Sequence, residues 1–106
     1  MKNKELNIIS NIKMIESLKA QLLCIIGRFF SLLTKGTNVV EESILECISK
    51  AIIILYVLAE KLGYSFQEVD KEIDKDLKQC IKEGNPVETD DRKLSRLRQY
   101  INDRID

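Results

Sequence analysis

Hydrophobic residues recur every three or four positions along most of this chain, which is the spacing of amphipathic helices. The first helical stretch covers about residues 8–34, and a Lys-Gly-Thr-Asn segment follows it. The second covers residues 41–63 and is apolar on nearly every face between residues 51 and 59. We expect a helix of that kind to be buried on several sides.

Turn signals separate these stretches from two more. Gly36 suits the end of the first helix, Asn38 with Glu41 reads as a capping box, and Gly63 suits the end of the second helix. Ser65 with Glu68 predicts another capping box, which opens a third helix. That helix has one apolar stripe, formed by Phe66, Val69, Ile73, Leu77 and Ile81.

The other faces of the third helix are charged, and we expect them to be solvated. Pairs such as Asp74 with Lys78 would each contribute only about 0.2–0.5 kcal/mol. Gly84-Asn85-Pro86 then breaks the chain. Residues 86–106 predict a last amphipathic helix, with Glu88, Asp90 and Asp91 in its first turn and apolar residues at helical spacing beyond them. The pattern predicts an all-α bundle of four to five helices, a single domain over residues 1–106 on which the 86–106 helix packs.

Charge and composition narrow the functional classes. The 106 residues include 17 Lys plus Arg and 17 Asp plus Glu, so no net charge attracts nucleic acid or an acidic membrane. The longest apolar run is far shorter than the roughly 20 residues that span a bilayer. Three widely spaced cysteines favour reduced thiols and a cytoplasmic location. Histidine is absent, so catalysis would depend on carboxylates, lysine, cysteine or tyrosine.

Three landmarks in order carry a resemblance to a known family. They are a first helix ending in Leu-Thr-Lys-Gly at residues 33–36, a buried helix ending in Leu-Ala-Glu-Lys-Leu-Gly at residues 58–63, and the amphipathic helix after it. The chain resembles the MazG-like family, and in particular its short bacterial members, in which the stretch at residues 18–23 and the Glu41-Glu42 pair are also familiar. The resemblance implies α-helical dimers or tetramers. It also implies Mg²⁺-dependent cleavage of nucleoside triphosphates to monophosphate and pyrophosphate, with metal held by an E-x-x-E and an E-x-x-D motif on consecutive helices.

In this chain, the positions that we expect to correspond to these acids carry no carboxylate. Distance from Lys-Gly at 35–36 places the first motif at Ile25 and Arg28, and distance from Ala59 places the second at Cys47 and Lys50. A one-residue slip in the second helix would give Glu46 and Ser49, but residues 17–40 contain no Asp or Glu. Because cations repel Mg²⁺ where carboxylates would attract it, we expect no metal site.

Two sets of residues remain as site candidates. Arg28 and Lys50 form a hypothetical phosphate-binding pair, although both could instead be solvated or paired with Glu46 or Glu60. Glu42 and Glu46, beside Glu41, are weak catalytic candidates that could equally be acids favoured in the first turns of a helix.

The function predicted from these residues is a MazG-like protein, inactive or weakened as an enzyme, that binds a nucleotide or a protein partner and needs no cofactor. An active Mg²⁺-dependent nucleoside triphosphate pyrophosphohydrolase is one alternative, and a helical adaptor without a ligand is another. A homodimer is expected because the second helix has more apolar surface than one chain of this size readily covers. Neither a membrane nor nucleic acid is expected as a partner.

Overall fold

The computed structural model describes residues 11–34, 41–89 and 91–105, which form five α-helices. They are α1 (Ile12–Leu33), α2 (Glu41–Lys61), α3 (Phe66–Lys82), α4 (Pro86–Thr89) and α5 (Lys93–Ile105). No strand occurs in these described ranges. The prediction of an all-α fold with four to five helices is confirmed. The predicted caps at Gly36 and at Asn38 with Glu41 involve residues outside those ranges.

The chain divides into two compact units, residues 1–64 and residues 65–106. In the first unit, α1 and α2 pack against each other. Among the described residues of this unit, the buried apolar ones are Leu18 and Leu32 of α1 and Cys47 and Ile54 of α2. These residues are spaced by multiples of seven on each helix, so they lie in one row that faces the neighbouring helix. Two long helices joined by a short connection pack as an antiparallel hairpin.

The expectation that α2 is buried on several sides is wrong for the single chain. Its exposed large apolar residues include Leu45, Ile48, Ile52, Ile53 and Leu55. The physical reason is that a helix buries only the rows of side chains that face a neighbour, and among the described residues of the first unit α1 packs on α2 along one side. The helix ends as predicted, because Gly63 adopts φ of 99°, which favours glycine.

In the second unit, α3 and α4 both pack on α5, and Leu77 and Ile101 are buried. The predicted capping box at the start of α3 is confirmed. The Glu68 N–H donates to Ser65 Oγ at 3.0 Å, and the Ser65 N–H donates to Glu68 Oε1 at 2.8 Å. At the other end Gly84 has a φ of 75°, which agrees with the predicted break.

The prediction that α3 is solvated away from its apolar stripe is wrong at two acids. Arg98 Nε donates to Asp74 Oδ1 at 2.8 Å, so Asp74 pairs with α5 and not with Lys78 as predicted. Arg104 donates to Asp70 Oδ1 at 3.1 Å, and Asp70 is buried. The two arginines extend from the helix that packs on α3, where water is partly excluded and a charge-assisted hydrogen bond is stronger than one at the exposed surface.

The tail forms two helices where one was predicted. Asp91 and Arg92 both adopt left-handed backbone, with φ of 62° and 55°, and turn the chain between α4 and α5. The Ser95 N–H donates to Glu88 Oε1 at 2.8 Å, and the Ser95 hydroxyl donates to Glu88 Oε2. Glu88 therefore caps the start of α5 from the preceding helix.

The prediction that residues 1–106 form a single domain stays a prediction. Within the part of the chain that the structure describes, none of the helices combines the length and apolar character that crossing a bilayer requires.

Candidate functional site

A groove runs along one side of the α1–α2 hairpin and has a volume of about 670 Å³. That volume lies within the roughly 300–1,000 Å³ of small-molecule sites. From α1 it is lined by Ser17, Ala20, Gln21, Cys24 and Ile25, and from α2 by Lys50, Ile53 and Ile54.

Small side chains on α1 open this groove. Ser17, Ala20 and Cys24 follow one another at helical spacing, and each is exposed. Ser17 precedes the core residue Leu18, so its row is rotated about 100° from the row that packs on α2. On the opposite wall Ile53 occupies the equivalent place, one residue before buried Ile54. The three short side chains of α1 face the branched side chains of Ile53 and Ile54 and leave a largely apolar channel.

The polar groups in the groove are held by local interactions. The Gln21 amide donates to Ser17 Oγ at 3.1 Å. Lys50 Nζ lies 3.2 Å from Glu46 Oε1, and both side chains are 55% exposed. An ion pair with that exposure contributes about 0–1 kcal/mol. Lys50 can therefore exchange Glu46 for a more highly charged anion at little cost.

The hypothetical phosphate-binding pair is divided between two places. Lys50 lines the groove, whereas Arg28 is exposed on α1 and is absent from the groove lining. The pairing of Lys50 with Glu46 is one of the alternatives that the sequence left open. The assignment of Arg28 and Lys50 to phosphate binding stays a prediction.

Glu42 and Glu46 lie together on a shallow concavity of about 330 Å³ that Ser43, Leu45 and Ser49 also line. Both carboxylates come from one helix, and Glu41 is exposed beside them. Their catalytic role likewise stays a prediction.

The side chains at the positions where the sequence analysis predicts the motif acids do not fit Mg²⁺, which is bound through oxygen ligands. Ile25 offers no donor, Arg28 and Lys50 are cations, and the Cys47 thiol is a soft ligand on a residue that is only 3% exposed. In the described ranges no three His, Cys, Asp or Glu side chains are grouped so that they could hold a metal ion.

Sequence reasoning missed most of the groove. Ile53 and Ile54 were read only as parts of an apolar helix, and Ser17, Ala20 and Cys24 received no role. The spacing of those three small residues, on the face next to the Leu18 row, was the signal that could have indicated a groove.

Comparison with known proteins places this hairpin in a family. No curated protein and no solved structure gives a significant match. A sequence model described as the MazG-like family matches residues 8–94, which include both helices of the hairpin and all of α3. This match covers most of the 106 residues. The chain therefore belongs to the MazG-like family.

Proposed function

We propose that this MazG-like protein binds a nucleoside phosphate in the α1–α2 groove and does not hydrolyse it. The observation that supports this proposal is the groove lining. Among the described residues that line it there is one cation, Lys50, and no carboxylate. The three cysteines are unpaired, which fits the cytoplasmic location predicted from the sequence.

The lining offers complementary surfaces for the two parts of such a ligand. Ile25, Ile53 and Ile54 provide an apolar wall against which a base can be buried. The Gln21 amide and the Ser17 hydroxyl provide donors and acceptors for the polar edge of a base or a sugar. Ligand sites of this size commonly combine apolar walls with a few polar groups that set orientation.

Charge favours phosphate over the present partner of Lys50. A phosphate monoester carries about −1.5 to −2 at pH 7, whereas Glu46 carries a single negative charge. The Coulomb energy of two charges at a given distance is proportional to each charge, so doubling one charge doubles that energy. A terminal phosphate at the distance of Glu46 would therefore attract Lys50 about twice as strongly.

The same lining argues against pyrophosphate release. Attack by water on a phosphoryl group requires a group that orients or deprotonates the water and cations that neutralise the developing charge. The described groove residues include no carboxylate or histidine that could act as the base. Lys50 can hold a phosphate but supplies only one cationic contact.

Binding can be tested by isothermal titration with a panel of nucleoside mono-, di- and triphosphates in EDTA. We expect heat from wild type and at least about tenfold weaker binding in Lys50→Met, which corresponds to about 1.4 kcal/mol. Lys19→Met is the matched control. Lys19 is 57% exposed and also pairs with a helical glutamate, Glu16, at 2.9 Å, but it does not line the groove.

Three outcomes would contradict the proposal. The absence of heat with every nucleotide would contradict nucleotide binding. A stable protein partner in a pull-down would then favour the adaptor alternative. Equal loss in Lys50→Met and Lys19→Met would place binding elsewhere. Pyrophosphate release that requires Mg²⁺ or Mn²⁺ and stops with a chelator would establish the enzyme alternative. Its first residues to substitute are Glu42 and Glu46, because they share one concavity.

A further inference from the structure

Lys50 lies at the boundary between the groove and an acidic stretch of α2. Glu42, Glu46 and Lys50 follow one another at a spacing of four residues, so they lie along one side of the helix. Towards the end of α2, Ile53 and Ile54 continue the groove from Lys50. Towards its start, Lys50 Nζ contacts Glu46, and Glu46 and Glu42 share the shallow concavity of about 330 Å³. Lys50 therefore separates an apolar channel from two carboxylates of the same helix.

The groove lining does not offer the backbone donors that bind chains of phosphates in many proteins. Such chains are bound by free N–H groups at helix N-termini or in glycine-rich loops. Only the first four N–H groups of a helix lack an intrahelical partner. The groove lining begins at Ser17 on α1 and at Lys50 on α2, and both positions lie beyond the first turn of their helix. In the described lining, phosphate donors are therefore confined to side chains, and Lys50 is the cation among them.

We propose that the groove selects nucleoside monophosphates over di- and triphosphates, and that Glu46 is the residue that sets this selectivity. The inference rests on the proposed function and names the class of nucleotide that the groove accepts. That class differs from the triphosphate substrates that the family resemblance implies. A single phosphate needs one strong cationic contact, which Lys50 supplies once the phosphate has displaced Glu46.

Further phosphates find no favourable place along α2. Inside the groove they would lie against Ile53 and Ile54, where an unpaired charge is costly, and they would displace the base from the same side chains. In the other direction along α2 they would approach Glu46 and Glu42, which repel them. Phosphates that extend into water keep their hydration and gain no contact with the protein.

The neighbouring part of α1 supplies one compensating charge. Within residues 26–34 the cation is Arg28, which follows Cys24 by four residues and so lies one turn beyond the groove on the same side of α1. A phosphate chain that leaves Lys50 in this direction starts beside Glu46, whose Oε1 lies 3.2 Å from Lys50 Nζ. Because Glu46 and Glu42 together outnumber Arg28, the added phosphates meet a net negative charge.

Isothermal titration in EDTA at about pH 8, where a phosphate monoester carries close to two negative charges, tests the selectivity. The probes are the mono-, di- and triphosphates of adenosine and of uridine. For the base that binds, we expect the monophosphate to bind at least about tenfold more tightly than the triphosphate, with the diphosphate between them. Glu46→Gln should tighten triphosphate binding more than monophosphate binding and reduce this ratio to about threefold or less, because a neutral amide does not repel the added phosphates.

Glu16→Gln is the matched control. Glu16 also pairs with a helical lysine, Lys19, at 2.9 Å, and it is 63% exposed against 55% for Glu46. Neither Glu16 nor Lys19 lines the groove, so this variant should leave the affinities and their ratio unchanged. An equal change in both variants would reflect net charge and would overturn the specific role of Glu46. Circular dichroism establishes that each variant is folded.

The remaining outcomes separate this inference from the proposed function. Triphosphate binding as tight as monophosphate binding in wild type would overturn the selectivity and leave nucleotide binding in place. Loss of that binding in Arg28→Met would then show that Arg28 holds the added phosphates. A ratio that does not change in Glu46→Gln would overturn the role of Glu46. The absence of heat with all six nucleotides would overturn the proposed function and the selectivity together.

Discussion

The ion pair between Asp70 and Arg104 should stabilise the second unit more than an exposed ion pair of nearly the same N–O distance would. Arg104 Nη2 lies 3.1 Å from Asp70 Oδ1, and Lys50 lies 3.2 Å from Glu46 on α2. The two ion pairs differ in burial. Asp70 and Arg104 side chains are 12% and 37% exposed, whereas both members of the α2 pair are 55% exposed. A comparison of Asp70→Asn and Arg104→Met with Glu46→Gln and Lys50→Met therefore isolates the effect of burial.

The magnitudes follow from the solvation of each pair. Exposed ion pairs contribute about 0–1 kcal/mol, because water screens them and ordering two long side chains costs entropy. A hydrogen bond to a charged group in a partly dry place contributes about 1.5–3 kcal/mol. We expect a coupling free energy of about 1.5 kcal/mol between Asp70 and Arg104 and below about 0.5 kcal/mol between Glu46 and Lys50. For a domain of this size about 1 kcal/mol corresponds to roughly 4–8 °C in Tm.

Two double-mutant cycles measured by urea denaturation provide the assay. Arg104 also lies over the Tyr100 ring, with its Cζ 5.5 Å from the ring centroid. That contact is lost in both arms that replace Arg104, so it cancels in the cycle. Hydrogen exchange should locate the loss of protection in α3 and α5. Equal coupling in the two cycles, or coupling below about 0.3 kcal/mol between Asp70 and Arg104, would refute the argument from burial.

Three smaller predictions concern a titration, a helix cap and the thiols. The pKa of Glu88 is lowered from its ordinary value of 4.5, mainly because the Ser95 hydroxyl donates a hydrogen bond to the carboxylate. The ionised Glu88 should therefore contribute its full stabilisation above pH 4.5, and this contribution should disappear as the pH falls through the lowered pKa. The denaturation midpoint of wild type should change with pH between pH 3 and 6, and this change should be smaller in Glu88→Gln. An equal pH dependence in the two proteins would contradict the prediction. Ser65→Ala should cost about 1 kcal/mol of unfolding free energy, because α3 loses its cap, and hydrogen exchange at the first turn of α3 would show no change if the cap were unimportant. Iodoacetamide should label exposed Cys24 in the native protein and Cys47 only after denaturation, which mass spectrometry of peptides can measure; early labelling of Cys47 would argue against its packing.

Much of the local structure could be predicted from sequence because its causes lie within one or two helical turns. The Ser65–Glu68 capping box joins residues three positions apart, and both predicted bonds form. Gly63 and Gly84 adopt the positive φ that helix ends favour. The family could also be recognised, because its helix landmarks follow one another in order along the chain, and a model of the MazG-like family matches residues 8–94.

The candidate site was only partly predictable. Lys50 was recognised from its motif position and lines the groove, but Arg28 was recognised by the same reasoning and does not. Motif spacing places a residue on a helix without giving the distance to residues of the neighbouring helix. Whether Lys50 lies near Ser17 or Gln21 depends on how α1 and α2 pack.

Residue identity and spacing along the chain were enough to predict the long helices, the helix ends at Gly63 and Gly84 and the balance of charge, since each of these has a local cause. Tertiary structure alone decided that Asp74 pairs with Arg98, 24 residues away, and Asp70 with Arg104, 34 residues away. It also decided that Cys47 is buried while Leu45 and Ile48 are exposed. The physical reason is rotation. Neighbouring residues of a helix point about 100° apart, so a small change in how two helices pack changes which side chains meet and which remain in water.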